Sequence, residues 1–193
     1  MMDSLQNGII SYWTFDDNLR DYNGSNHGTG TSVSYTVGKI NSAVLYNTSS
    51  TVKTPGDLYK GLSKISFSFW VYSPDFLFPV FLNKQNSFEI RYDGTLGYGI
   101  HLKIFSADGT TSATIRNGSS TMILNSWNHI VFTYDGSLSD VDKVKLYING
   151  QSALTVVSGT VPISSFLNLV SNNLIIGSNL NGSMDEVGIW NRP

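Results

Sequence analysis

The 193-residue chain has no cysteine, so no disulfide closes it and its stability must rest on a packed core, with or without a metal. Charge is scarce too: Lys, Arg, Asp and Glu make up 13 % of residues, and 12 basic side chains against 14 acidic ones leave a net charge of -2. The basic residues are scattered and form no stripe that would hold a phosphate backbone, which excludes nucleic acid as an expected partner. No apolar run approaches the roughly 20 residues of a membrane-spanning helix, and the opening "MMDSLQNG" lacks the basic and apolar regions of a signal peptide. Glutamate is almost missing, with Glu89 and Glu186 the only two, and there is no G-x-S-x-G nucleophile elbow.

What is present is strand-like. Runs of β-branched and aromatic residues are broken by Gly, Asn, Ser and Asp clusters at the short spacing of an all-β sandwich or barrel, and helical periodicity is hard to find. In "KISFSFWVYS", Ile65, Phe67, Phe69 and Val71 share one face, and Ser66, Ser68, Trp70 and Tyr72 share the other. "YGIHLKIFSADG" sets Tyr98, Ile100, Leu102 and Ile104 against His101, Lys103 and Phe105. "HIVFTYDG" puts Ile130, Phe132 and Tyr134 together, and "DKVKLYINGQSALTVV" reads as a hairpin turning at Asn149-Gly150. "LIIGS" and "GSMDEVGIWN" supply two more strands, whereas Pro74 and Pro79 mark "SPDFLFPVFLN" as an irregular crossover or an edge. The chain is expected to form a single domain over residues 1–193.

The order "YWTFDD…DYNGSNHG", "ISFSFWV", "SWNHIVFTYDG", "VKLYINGQ" and "LIIGS…NGSMDEVGIWNR" resembles the laminin-G-like, concanavalin A-like lectin/glucanase superfamily, and within it the bacterial and phage branch. The resemblance runs over about residues 9–192. It implies an all-β, two-sheet antiparallel jelly-roll sandwich with the first and last strands side by side. The alternation read from the residues agrees with that architecture, because each sheet of a sandwich needs one inward face per strand.

The stretch "YWTFDDNLRDYNGSNHG" gathers carboxylates, side-chain amides and glycine-rich backbone, the oxygen donors that a hard cation such as Ca²⁺ takes. It is not an EF-hand, since no register supplies the alternating Asp/Asn, the Gly and the closing Glu. The resemblance implies a structural calcium site where the "FD" and "NHG" segments meet the "DEV" of the last strand, with Asp16, Asp21, Asn26 and Asp185 as ligands. The competing reading is that Asp21, Asn23 and Asn26 only make side-chain turns, with Asp16 and Asp185 at solvated strand ends. His27 is expected to pack in the loop. Trp127, His129, Val131 and Thr133 share a face, on which His129 should be hydrogen-bonded to a neighbour.

Glucanases of this superfamily carry an E-x-D-x-E strand, which two distant glutamates cannot form. Lyases of the fold use Arg, His and Tyr, available here as Arg91, His101 and Tyr98, but without the lyase motifs. The chain is therefore expected to be a non-catalytic carbohydrate-binding or adhesion module whose partner is a glycan or cell-surface carbohydrate. Sugars are held by aromatic faces and planar hydrogen-bonding groups, and residues 88–105 offer Arg91, Tyr92, Tyr98 and His101 as ligand-binding candidates. The alternative is a virion surface protein, decoration or fibre, that assembles with capsid or other virion proteins through the apolar "DFLFPVF". An extracellular or virion-surface location fits both.

Overall fold

The structure is a computed structural model that describes residues 5–55, 61–75, 77–94, 99–106, 110–117, 122–153, 155–159, 161 and 172–193. Sixteen strands run along these residues: β1 (Ile9–Trp13), β2 (Thr29–Thr31), β3 (Ser34–Val37), β4 (Ser42–Tyr46), β5 (Thr51–Thr54), β6 (Lys64–Tyr72), β7 (Val80–Lys84), β8 (Phe88–Tyr92), β9 (Ile100–Phe105), β10 (Ser112–Asn117), β11 (Trp127–Asp135), β12 (Val144–Ile148), β13 (Gln151–Ala153), β14 (Thr155–Gly159), β15 (Leu174–Ser178) and β16 (Gly182–Trp190). No helix among the described residues is long and apolar enough to cross a membrane.

The strands form two antiparallel sheets. The first has the order β13-β12-β11-β6-β16-β4-β3, with β1 also on β16; the second has the order β14-β10-β9-β8-β7-β15-β5-β2. This is the expected two-sheet sandwich, and the first and last strands pair as expected, Trp13 opposite Val187 and Tyr12 opposite Gly188. The Asn149-Gly150 hairpin is also in place, joining β12 to β13 with Ile148 opposite Gln151. Both turn residues take positive φ, 52° and 78°, the conformation that matches a two-residue turn to the right-handed twist of its strands.

Strand alternation supplies the core. Ile65, Phe67, Phe69 and Val71 of β6 and Ile130, Phe132 and Tyr134 of β11 are buried from one side, Ile90, Leu102 and Ile115 from the other. The sheets interlock through aromatic pairs: Phe67 meets Phe88 with ring centroids 4.6 Å apart, and Phe69 meets Phe81 at 5.4 Å. Such tilted contacts add about 0.5–1.5 kcal/mol each to the burial of the rings.

One segment departs from the sequence reading. Residues 80–84 are neither crossover nor edge, because β7 lies between β15 and β8 inside the second sheet. The prolines do not prevent this, since Pro74 and Pro79 both precede the first ladder residue, and the Pro79 carbonyl accepts a bond from the Tyr92 amide at 3.0 Å. Phe81 is fully buried, Phe78 is 44 % exposed, and Phe76 lies outside the described residues.

The chain ends lie together. Trp190 Nε1 donates to the Leu5 carbonyl at 2.6 Å, Arg192 Nε to that of Asn7 at 2.6 Å, and the Asn191 amide to that of Gly8 at 2.8 Å. At the end of β11, Asp135 accepts from Lys64 Nζ at 2.8 Å and from the Ser137 amide at 3.0 Å. The Lys64 bond and then those from Ser137 pull the Asp135 carboxyl down to about 2.

Two outcomes follow for stability. Phe67→Ala should lose about 3–5 kcal/mol by urea unfolding, the usual cost of deleting a buried ring, while Thr133→Ala on the outer face should change little. Because Asp135 titrates lower in the folded chain than its ordinary 3.8, its contribution is present above about pH 4 and is lost as pH falls toward 2. The urea midpoint of Asp135→Asn should therefore lie below that of the parent at pH 7, with the gap closing between pH 4 and pH 2.

Candidate functional site

Strand β16 changes neighbours halfway along one edge. Its first residues pair with β4, Met184 opposite Val44, and its last with β1, starting at Val187 opposite Trp13. On its other edge β6 runs throughout, and the register there slips between Asp185 and Gly188. Glu186, inside that bulge, has φ of 52°. Such an extra residue re-aims its neighbours, and bulges gather beside sites for that reason.

The gap between β1 and β4 is filled by the segment that leaves β1 and the turn that enters β4. Phe15, Asp17 and Asn41 in these segments also have positive φ, at 61°, 52° and 47°. Asp16 Oδ1 accepts from the Ser42 amide at 3.1 Å and Oδ2 from the Asn41 side chain at 3.4 Å. Asp185, fully buried, accepts from the Ile40 amide on Oδ2 at 3.0 Å. Gly38 is required here, because a Cβ would stand 2.6 Å from the Ser42 carbonyl oxygen and 2.7 Å from Asp185 Oδ2. Burial pushes the Asp185 carboxyl up to about 6 against the pull of the Ile40, Lys39 and Glu186 amides, and the charge of Asp16 adds to the rise. Asp185 Oδ1 is buried with no hydrogen-bond partner among the described residues.

The four expected metal ligands are therefore divided. Asp16 and Asp185 meet at the 38–42 turn. Asp21 has its carboxylate occupied by backbone amides, Oδ1 by Tyr12 and Asn23 at 3.0 Å each and Oδ2 by Asn26 at 3.2 Å. The Asn26 side chain donates to Ser11 Oγ at 2.8 Å, and the Asn26 main-chain carbonyl accepts from Trp13 Nε1 at 3.0 Å. His27 Nδ1 accepts the Asp21 amide at 3.1 Å. Asp21 thus makes the side-chain turn of the competing reading at Asn23, whereas Asn26 ties the loop to Ser11 and Trp13, and Asp185 is buried and pairs with Asp16 across the chain where that reading put it at a solvated strand end. Among the described residues no group of three or more His, Cys, Asp or Glu is placed to hold a metal, so main-chain or amide oxygens or water would have to complete any shell around the pair.

A second cluster lies on the outer face of the second sheet. On β8, β9 and β10 the apolar positions face the core, which leaves Glu89 and Arg91, His101 and Lys103, and Thr114 and Arg116 outside. Register aligns them in two rows, with His101 opposite both Arg91 and Arg116, and Lys103 opposite both Glu89 and Thr114. With Asp93 they line a cleft of about 320 Å³. Asp93 Oδ2 takes Arg91 Nη2 at 3.2 Å and lies 3.9 Å from His101 Nδ1. Burial lowers the His101 pKa, and Arg116 and Arg91 add to the lowering against the opposing pull of Asp93.

Of the four expected ligand-binding residues, the structure brings Arg91 and His101 together. Tyr92 comes next in the alternation after Arg91 and packs against the core, away from the cleft. Tyr98 lies outside the described residues. Sequence reasoning missed Asp93 and Arg116 as members of this cleft.

It also missed a cleft on the first sheet. Trp127, at the start of β11, is opposite Tyr72, at the end of β6, and the rings stand 5.9 Å apart at 55°. Thr36, Val37, Leu45, Pro74, Asn181, Gly182 and Ser183 complete a cleft of about 370 Å³. One row further along the strands, Trp70 stacks on His129 at 4.7 Å with Lys39 Nζ 4.5 Å from the Trp70 ring centre, and His129 Nε2 lies 2.8 Å from Ser68 Oγ. His129 has the expected neighbour, but on the outer face of the sheet.

A family model described as the concanavalin A-like lectin/glucanases superfamily matches residues 46–193. No curated protein sequence matches the chain. Among solved structures it is similar to domain 4 of AbnA, an extracellular GH43 arabinanase from Geobacillus stearothermophilus in complex with arabinotriose, with a TM-score of 0.74, 23 % identity, and coverage of 94 % of this chain and 91 % of that one. An endo-β-1,4-glucuronan lyase from Trichoderma reesei is similar with a TM-score of 0.55, 14 % identity, and coverage of 93 % and 94 %. The Emp47p carbohydrate recognition domain is similar with a TM-score of 0.51, 11 % identity, and coverage of 99 % and 100 %. At these identities the likeness establishes the jelly-roll fold, which carries both binding domains and an enzyme.

Proposed function

The chain belongs to the concanavalin A-like lectin/glucanases superfamily, and from that premise we propose that it is a non-catalytic carbohydrate-binding module that uses the outer face of the second sheet. The observation that carries this reading is the Arg91–His101–Arg116 row crossing β8, β9 and β10, with Glu89 and Asp93 beside it. Guanidinium and carboxylate groups are planar and bidentate, so they address neighbouring hydroxyls in pairs, and strands hold them at fixed spacing. The arrangement supports binding over hydrolysis because Glu89 and Asp93 both lie beside Arg91, at 3.6 and 3.2 Å, where their oxygens are engaged with its guanidinium.

The reading includes a structural calcium ion held by Asp16 and Asp185. A buried carboxylate oxygen without a donor is what a cation would satisfy, and the second acid beside it adds charge of the right sign. A bound ion would tie the segments after β1 and before β4 to β16. The alternative role, assembly on a virion surface, draws on Leu77 and Phe78, which are 64 % and 44 % exposed.

A glycan array probed with the parent chain tests the binding reading. Reproducible hits are expected, and Arg91→Ala with Arg116→Ala should weaken the glycans read by this cleft about tenfold. Silence on the array together with a stable oligomer in solution would favour assembly. For the ion, EDTA should lower the melting temperature, and Asp185→Ala should lower it similarly and remove the sensitivity to EDTA. If neither treatment moves the melting temperature, no metal is bound there.

A further inference from the structure

The outer face of the first sheet carries a second cleft whose chemistry is opposite to that of the first. Among the described residues all nine that line it, including Tyr72, Trp127, Asn181 and Ser183, are uncharged. Among the described residues the cleft on the second sheet is lined by Glu89, Arg91, Asp93, His101, Lys103 and Arg116, together with Thr114. Tyr72 and Trp127 do not point outward by accident of a loop. They sit at non-core positions of two long strands, opposite each other in register, and the same register continues through Ser183 to Leu45. A single row therefore crosses β11, β6, β16 and β4, three strand spacings or about 14 Å at about 4.8 Å each.

We propose that this row is a second saccharide-binding site, selective for uncharged sugars, on which Trp127 and Tyr72 receive the C–H faces of a neutral oligosaccharide lying across the strands. The tilted rings offer two non-parallel platforms, suited to successive units of a twisted chain better than to one flat ring. Polar contacts come from the short side chains of Ser183 and Thr36 and from Asn181, whose amide nitrogen is already held by Asp75 at 2.8 Å, leaving its carbonyl oriented. The absence of charge in the lining decides the class of ligand. An acidic sugar would leave water for a cleft whose described lining holds no cation, Lys39 being drawn to the Trp70 ring one row further along, whereas a neutral one gives up only hydroxyl hydration along its edges. The ring faces gain area without that cost.

The inference rests on the carbohydrate-binding reading for its class of ligand and assigns a different face of the sandwich. One array separates the two. Parent, Arg91→Ala/Arg116→Ala and Trp127→Ala chains are applied to the same neutral and acidic glycans, with circular dichroism and the melting temperature as controls of folding. Trp127→Ala should lose about tenfold or more on a set of neutral glycans that the double arginine variant retains, and added salt should leave the parent's affinity for that set unchanged. Should Trp127→Ala disturb the fold, Tyr72→Ala and the conservative Trp127→Phe replace it, the latter retaining part of the affinity. Neutral glycans bound equally by the parent and the tryptophan variants would overturn the second site and leave the first standing. A folded parent that binds no glycan would instead remove the carbohydrate reading, and this site with it.

Discussion

Strand β16 has to satisfy three partners, and the rest of the molecule is arranged around that demand. Along one edge it pairs with β6; along the other it pairs first with β4 and then with β1. Two strands meeting end to end beside a third leave backbone at the junction without a ladder partner, and buried backbone must be satisfied somehow. Here a side chain does it. Asp185 accepts the Ile40 amide, Asp16 accepts that of Ser42, and the bulge at Glu186 lies beside the acid on the same strand. The core on either side is ordinary sandwich packing, but its closure from N-terminus to C-terminus passes through this junction.

The same junction separates the two expected roles of the acidic opening stretch. Asp21 is bound by local amides and folds its own loop; Asp16 acts across the chain. In sequence both are aspartates near glycine and asparagine, and either could have done either job. The difference lies in which one follows the end of β1 directly, and that depends on where β1 stops and on which strand lies beyond it.

Much else was legible. Period-two alternation identified the core faces of β6, β9 and β11, because a buried sheet face leaves little freedom in residue type. The hairpin at Asn149-Gly150 was legible because few residue pairs tolerate two positive φ angles in succession. Residues 80–84 were misread because proline was weighed by its presence in the segment and not by its position ahead of the first ladder amide. Arg91 and His101 were found as candidates, and Lys103 as a neighbour of His101 on one face, but their gathering with Glu89 into one cleft needed the register of β8 on β9. Tyr72 and Trp127 had a signal of their own, large aromatics on the side opposite the core, yet only the pairing of β6 with β11 makes them neighbours.

The seam between the chain ends has a topological consequence. Leu5, Asn7 and Gly8 offer their carbonyls to Trp190, Arg192 and Asn191, so entry and exit lie within a few hydrogen bonds of each other. Such a unit can be spliced into a surface loop of a host scaffold, or have its ends sewn together and be reopened at Asn149-Gly150, without prying the two sheets apart.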